Sequence, residues 1–202
     1  MNVQILNEDT LSKLNHIIRR DQLIYSEYSF LSDEQLWKYF ENNQRNLFPN
    51  EGAFQFVALN RDKITGFLSC SKDHFDSDIF GFGCFRITSL QVFSFDPKEI
   101  QLIISSLLQR LENTLIQKEG KCHISIGLNN NTQGFDKIFN SLTSNGFYYY
   151  HTLLTFSSIK LRFDESLGLN KGITIRTATK KDSEELSRIA AESFKLSRFK
   201  LD

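Results

Sequence analysis

The chain has 202 residues, of which 40% are hydrophobic and 19 are phenylalanine, which is enough apolar material for one or two folded domains. Basic and acidic residues both number 24, so no net charge draws the chain to nucleic acid or to an anionic membrane surface. The low counts of two prolines and ten glycines argue against disorder. No apolar segment has the length of a membrane span or the form of a secretion signal. We therefore expect a cytoplasmic protein that binds neither nucleic acid nor membrane.

The first half of the chain predicts two helices and then a series of antiparallel strands. Residues 3–6 predict a strand, and apolar residues at helical spacing over 11–18 predict a first helix. Ser32 and Gln35 have the spacing of a capping box, so a second helix should begin there. Strands are then predicted over 54–59, 64–71 and 84–95; the turn at 60–63 joins the first two, and a polar, acidic connection over 72–78 leads to the third.

The second half begins with the most strongly marked helix of the chain. Asp96 is the predicted N-cap, Pro97 the first helical residue, and Glu99 the partner three positions after the cap. One apolar stripe runs to Gly120, which should end the helix. A strand over 122–128, a helix starting at 129–132, a stop at Asn145-Gly146 and a strand over 147–158 complete this part.

The last segment reads as a linker over 160–172 and then a strand and a helix over 173–202. Thr179 and Asp182 have cap spacing, and the helix carries an apolar stripe of Leu186, Ile189, Ala190 and Phe194. One strand and one helix cannot bury such a stripe alone, so it must pack on the preceding body or on residues beyond Asp202. The whole order, β-α-α-β-β-β-α-β-α-β followed by an incomplete β-α, predicts an α/β protein whose mixed sheet has helices on both faces.

This order, with Asn145-Gly146-Phe147 between the last helix and the last strand of the body, resembles the GNAT acetyltransferase fold. Residues 175–186 resemble the opening of another GNAT domain. The resemblance thus divides the chain into a GNAT-like domain over 1–159, a linker over 160–172 and the incomplete opening of a second GNAT domain over 173–202.

Two short motifs narrow the resemblance to tandem-domain acetyltransferases of the TDP-fucosamine acetyltransferase type. The stretch 75–81 resembles their Trp-Asp-Ser-x-Phe-Phe-Gly motif, although Phe75 replaces Trp and Ile79 replaces the first Phe. The stretch 197–202 resembles their Ser-Arg-Phe-His-x-Asp motif, with Lys200 in place of His. The residues that these motifs place at a substrate or domain cleft are Asp76, Ser77, Phe80, Gly81, Arg198 and Phe199.

The resemblance implies that acetyl passes from acetyl-CoA to the amine of a small molecule, such as a nucleotide-linked amino sugar. It also implies that the second domain holds the cofactor. GNAT domains bind the coenzyme pyrophosphate on a glycine-containing loop at a helix N-terminus. The matching turn here, 92–99, has no glycine, and Asp96, Pro97 and Glu99 should close it to phosphate. Leu142 stands four residues before Gly146, where the family often has a tyrosine acid, so no catalytic residue can be assigned.

Other residues that could carry chemistry favour structural roles. The three cysteines lie in apolar strands and suit reduced core thiols, while a zinc site from Cys70, His74, Cys122 and His123 is hindered because the last two point to opposite strand faces. No metal site is therefore predicted. Asp76 and Ser77 suit local turn hydrogen bonding, with a role at a cleft as the alternative.

Three hypotheses about function remain at this point. The first is the N-terminal part of a GNAT N-acetyltransferase, with the active site built mostly by the second domain. The second is a non-catalytic GNAT-like module for scaffolding or dimerisation, since an unpaired apolar stripe invites a partner such as a second copy. The third is an acyltransferase that uses the first domain alone with an unusual cofactor mode.

Overall fold

The computed structural model of the chain describes residues 1–14, 17–22, 31–130, 132–149 and 176–193. Contacts divide the chain into two compact units, Met1–Ser157 and Ser158–Asp202. The predicted linker over 160–172 and most of the strands predicted over 147–158 and 173–176 lie outside the described residues.

Within its described residues, the first unit has a five-stranded mixed sheet in which sequential strands are neighbours. The first four strands are antiparallel, and the fourth and fifth are parallel. The strands are β1 (Asn2–Ile5), β2 (Ala53–Asn60), β3 (Lys63–Lys72), β4 (Gly83–Val92) and β5 (Cys122–Ile126). Arg61 and Asp62, with φ of 47° and 65°, form the two-residue turn between β2 and β3, because positive φ at both positions matches the twist of a hairpin.

Five helices accompany this sheet: α1 (Glu8–Leu14), α2 (Asp33–Leu47), α3 (His74–Phe80), α4 (Pro97–Glu119) and α5 (Phe135–Ser144). The predicted caps of two of them are confirmed. Ser32 and Gln35 form a reciprocal capping box at α2, and the Asp96 carboxylate caps α4, whose first residue is Pro97. The whole predicted apolar stripe of α4 is buried, namely Ile100, Ile103, Ile104, Leu107, Leu108, Leu111 and Leu115.

The helices cover both faces of the sheet, which confirms the predicted mixed α/β fold. On one face α4 and α5 pack over β2, β3 and β4 around side chains such as Leu68, Ile87 and Leu107. On the other face α1 and α2 enclose a smaller core that includes Leu11 and Phe67. The sheet therefore lies between two apolar layers, and β3 is the middle strand of the five described.

Several predicted boundaries are wrong, each for a local reason. Residues 74–80 form helix α3 where a polar connection was expected, because Asp73 caps its start and Gly81, with φ of 70°, ends it. α1 ends at Leu14, although Ile17 and Ile18 still pack on the same core. β4 and β5 are shorter than predicted. α5 begins at Phe135 after a left-handed Gly134, and residues 147–149 are not a strand.

In the second unit the structure describes a short 3₁₀ turn, Lys180–Asp182, and helix α6 (Ser183–Ser193). The predicted cap is confirmed, since Thr179 and Asp182 form a capping box. Asp182 also pairs with the Arg176 guanidinium, and these contacts hold the pKa of its carboxyl well below the usual range. Leu186 and Ile189 are 49% and 46% exposed, while Ala190 and Phe194 lie outside the described side chains.

Candidate functional site where strands β4 and β5 separate

The parallel strands β4 and β5 separate at the end nearest the start of α4. Their pairing runs from Gly83 and Cys122 to Ile87 and Ile126, but β4 continues to Val92. A shallow cleft lies at this opening, with an enclosed volume of about 10 Å³, which is room for about one water molecule. It is lined by Leu90, Gly127, Leu128, Asn129, Thr132, Phe135 and Ile138.

The first turn of α4, beside this opening, has its backbone donors engaged by its own side chains. Asp96 Oδ1 accepts from the N–H groups of Lys98 and Glu99, both at 2.9 Å. Pro97 has no N–H to offer. The Glu99 carboxylate accepts from the Ser94 hydroxyl at 2.6 Å, which holds a second negative charge at the same helix end. An incoming anion would have to displace one carboxylate and approach another, so this helix end disfavours phosphate.

A short segment after α1 crosses the opening and joins its two sides. The Arg19 N–H donates to Gln91 Oε1 of β4 at 3.0 Å, and Asp21 Oδ2 accepts from the Gln133 N–H at 2.8 Å. Thr132 Oγ1 donates to the Asp21 carbonyl at 2.5 Å. Arg19 pairs with Asp21 at 2.9 Å, and its guanidinium lies 4.8 Å from the Phe95 ring centre. The segment thus ties β4 to the loop that follows β5.

The residues that the sequence placed at a substrate or domain cleft lie at the opposite end of β4. The Ser77 hydroxyl donates to the Asp73 carbonyl at 2.6 Å and accepts from the Cys84 N–H at 2.9 Å, so it has the predicted local bonding. The Asp76 N–H donates to the Asp73 side chain at 3.1 Å. Phe80 stacks on Phe82, and Gly81 ends α3. Arg198 and Phe199 lie outside the described residues.

Among the described residues, the position of the family acid holds no group that can donate a proton. Leu142 is 3% exposed and packs in the core beneath α4. Tyr148 and Tyr149 are strongly exposed, and Tyr150 lies outside the described residues.

The cysteine and histidine side chains do not form a metal site among the residues that the structure describes, where no group of three or more potential ligands is close enough. All three cysteines are free thiols. Burial is the main reason that their pKa values are raised, and the pKa of Cys70 reaches about 12. Cys70 is therefore a neutral core thiol at ordinary pH.

Sequence reasoning missed the group Arg19, Asp21, Gln91, Thr132 and Gln133. One signal was present, since Gln91 interrupts an otherwise apolar strand between Leu90 and Val92, and a buried polar residue needs a reason. Nothing in the sequence around Arg19 pointed to β4, because the two segments are 72 residues apart.

Solved structures share this arrangement of strands and helices, although no protein-family model matches the sequence and no curated protein is significantly similar to it. A predicted acetyltransferase from Clostridium acetobutylicum, solved with acetyl-CoA, is 16% identical with a TM-score of 0.52; the match covers 77% of this chain and 95% of that one. A GNAT family acetyltransferase from Staphylococcus aureus is 17% identical with a TM-score of 0.50, covering 78% and 98%. The fold is that of GNAT acetyltransferases.

A transcriptional regulator from Bacillus halodurans also has a similar fold; it is 15% identical with a TM-score of 0.54, and the match covers 78% of this chain and 99% of that one. Each of these matches spans almost the whole of the other chain. At such low identity the likeness concerns the fold alone. Within the part of the chain that the structure describes, no helix has the length and apolar character needed to span a membrane.

Proposed function

We propose that this chain takes part in GNAT-type transfer of acetyl from acetyl-CoA to the amine of a small molecule, of which a nucleotide-linked amino sugar is the leading candidate. We further propose that the first unit does not bind the coenzyme pyrophosphate itself. The fold supports the first statement, since similar folds include an acetyltransferase solved with acetyl-CoA. The observation that carries the second is the Asp96 carboxylate on the N–H groups of Lys98 and Glu99.

The physical argument concerns what a helix end can hold. A pyrophosphate needs free N–H groups at the start of a helix, together with the positive end of the helix dipole. Here a carboxylate already accepts from two of those groups, a proline removes a third donor, and Glu99 adds negative charge. A self-capped helix end gains about 1 kcal/mol from its cap and repels a second anion.

We assign the cofactor to a second GNAT-like domain, of which residues 173–202 would be the opening. The resemblance of 175–186 and 197–202 to such an opening supports this assignment, as does the capped start of α6 with its exposed Leu186 and Ile189. Direct attack of an amine on a thioester needs a base, an N–H that polarises the carbonyl and an acid for the thiolate. The three free cysteines suit a reducing compartment, so we place the activity in the cytoplasm.

The test measures coenzyme A binding and acetyl transfer separately. We expect 1 mM coenzyme A to leave the melting temperature of the 202-residue chain unchanged, and acetyl-CoA consumption with a nucleotide-linked amino sugar to stay at the rate without enzyme. A chain in which a complete second GNAT-like domain follows the first unit should show transfer. Stabilisation of the 202-residue chain by coenzyme A would overturn the assignment of the cofactor to a second domain, and a two-domain chain without transfer to any amine would overturn the enzyme proposal.

A variant pair tests the role of the helix cap. Asp96→Gly combined with Glu99→Gln frees two N–H groups and removes two charges at α4, while Ser32→Gly opens the start of α2 as a matched control. We expect weak coenzyme A binding to appear in the α4 variant alone. Equal behaviour of the two variants would mean that the cap is not what excludes the anion.

A non-catalytic module that dimerises is the second candidate, favoured by the exposure of Leu186 and Ile189 on α6. A second copy of the chain could cover these side chains. Light scattering of the chain with and without residues 173–202 tests this: a dimer that becomes a monomer on removal supports it, and identical monomers exclude it.

A further inference from the structure

The segment 17–22, here named the clasp, is held by contacts on both sides of the opening between β4 and β5. On the β4 side, the Arg19 N–H donates to the Gln91 amide oxygen. On the β5 side, both the carboxylate and the carbonyl of Asp21 accept, the former from Gln133 and the latter from Thr132. Asp21 also holds the Arg19 guanidinium, so one side chain connects the two halves of the clasp.

The sheet surface next to the clasp is polar, buried and incompletely bonded. Gln91 is fully buried and Ser89 is 4% exposed. Gln91 Nε2 and Ser89 Oγ have no hydrogen-bond partner among the residues that the structure describes. Two residues apart on one strand, they face the same side of the sheet. Buried polar groups are nearly always hydrogen-bonded, so two adjacent unpaired ones point to a group that bonds them at another time.

The residues of β3 that lie opposite these two groups are uncharged. Their partners across the strand pair are Phe67 opposite Gln91 and Ser69 opposite Ser89. Ser69 is fully buried and accepts from the Thr88 hydroxyl at 3.2 Å. Arg19, whose backbone N–H bonds the Gln91 side chain, has its own charge paired with Asp21. An ion placed here would lose its hydration without gaining a counter-charge, so the surface suits a neutral molecule.

We propose that Ser89 and Gln91 form the floor of a binding site for a small uncharged molecule with a carbonyl oxygen, and that the clasp closes this site through Asp21. Gln91 Nε2 donates to the carbonyl oxygen of the ligand, and the Ser89 hydroxyl bonds a second polar atom. Entry requires Asp21 to release Gln133 and Thr132, after which residues 17–22 move off β4. The proposal does not depend on acetyl transfer, because it concerns access and neutral hydrogen bonding alone.

Thiol labelling at the floor tests whether the clasp controls access. Ser89→Cys places a nearly isosteric thiol there, and methyl methanethiosulfonate is a small neutral reagent whose reaction at each cysteine is followed by peptide mass spectrometry. We expect Asp21→Ala to raise the labelling rate of the introduced thiol at least tenfold. Asp136→Ala, which removes an exposed aspartate three residues beyond Gln133, should leave the rate unchanged.

Cys70 serves as the internal reference in the same samples. It is fully buried, and its side chain points to the α4 face of the sheet, away from the clasp. If Asp21→Ala accelerates Cys70 labelling as much as labelling at position 89, the variant opens the whole unit and the clasp proposal is overturned. An unchanged rate at position 89 overturns it as well.

Acetamide, a minimal neutral amide, tests the chemical class of the ligand. In the chain that carries Ser89→Cys and Asp21→Ala, we expect 100 mM acetamide to slow labelling at position 89 at least twofold. Adding Gln91→Met, which keeps the size of the side chain and removes its amide, should abolish this protection. Labelling that acetamide does not slow, or protection that survives Gln91→Met, contradicts the assigned ligand class.

Discussion

Gly66 lies where β3 passes closest to α4, and this position has no room for a side chain. A Cβ here would overlap the Ile103 methyl group and lie 3.2 Å from the Gln91 carbonyl and 3.3 Å from Leu107. We expect Gly66→Ala to lower the free energy of unfolding by about 1–3 kcal/mol, since the helix must shift to admit the methyl group. Urea denaturation measures the effect. Gly52→Ala, whose Cβ meets only Lys72 and Asn50 side-chain atoms at 3.2 and 3.3 Å, should cost less, and equal costs would contradict this account.

Cys70 makes stability depend on pH in the alkaline range. Burial raises the pKa of its thiol to about 12, against an ordinary value of 9.0. Between pH 9 and 12 the unfolded chain loses this proton while the folded chain keeps it, so the free energy of unfolding falls as the pH rises. The decrease in the free energy of unfolding that is due to Cys70 should approach about 1.4 kcal/mol per pH unit.

Comparison with Cys70→Ala isolates this contribution to the pH dependence, because the variant removes the Cys70 thiol and no other titratable group. Urea denaturation between pH 8.5 and 10.5 should show a smaller decline in stability for the variant than for the native chain. Parallel declines would mean that the Cys70 thiol is no more protected from ionisation than in the unfolded chain.

At the scale of single residues, the contacts that could be predicted were those between residues close together in the chain. Ser32 and Gln35, and likewise Asp96 with the N–H groups of Lys98 and Glu99, interact within three positions, so their spacing alone specified the caps. The contact from Arg19 to Gln91 spans 72 positions, and no local pattern records it. The candidate site was missed for this reason.

At the scale of elements, α2 is fixed on the sheet by a buried amide pair. Gln55 Nε2 of β2 donates to Gln44 Oε1 at 2.7 Å and to the Gln44 carbonyl at 3.1 Å, and both side chains are almost fully buried. We expect Gln55→Leu to cost about 1–3 kcal/mol of unfolding free energy, because it leaves the Gln44 amide buried without its partner.

The double variant with Gln44→Leu decides whether pairing is the cause. Replacing both amides removes the unpaired group, so the double variant should be more stable than the sum of the two single changes predicts. Guanidinium denaturation of all four chains completes the cycle. Additive effects would indicate that the two amides act separately and do not position α2.

Helix α3 shows why one element of the first unit was not predicted. Its caps, Asp73 and Gly81, were visible in the sequence, but its seven residues are too few to show a helical period, and none of them is buried. The stripe of α4 is fully buried and was predicted residue by residue. Hydrophobic periodicity therefore located the elements that form the core and missed one that lies on the surface.

At the scale of the whole molecule, we expect the two faces of the sheet to unfold together. Leu107 belongs to the core on the α4 face, while Trp37, the only tryptophan, belongs to the core on the α1 and α2 face. Leu107→Ala should cost about 2–5 kcal/mol and shift the unfolding transition seen by Trp37 fluorescence by that full amount. Gln109→Ala changes an exposed residue of the same helix and should leave the Trp37 transition unchanged. A Trp37 transition that ignores Leu107→Ala would show that the two faces unfold independently.

The sequence alone determined the class of fold, the main helix and the closed start of α4, because periodicity and capping depend on residues within a few positions of one another. The tertiary structure decided what lies where β4 and β5 separate. It brought Asp21 to Thr132 and Gln133, and it buried Gln91 and Ser89 beside them. These contacts join segments more than a hundred positions apart, and their partners are set by how the strands and loops pack, which no local pattern encodes.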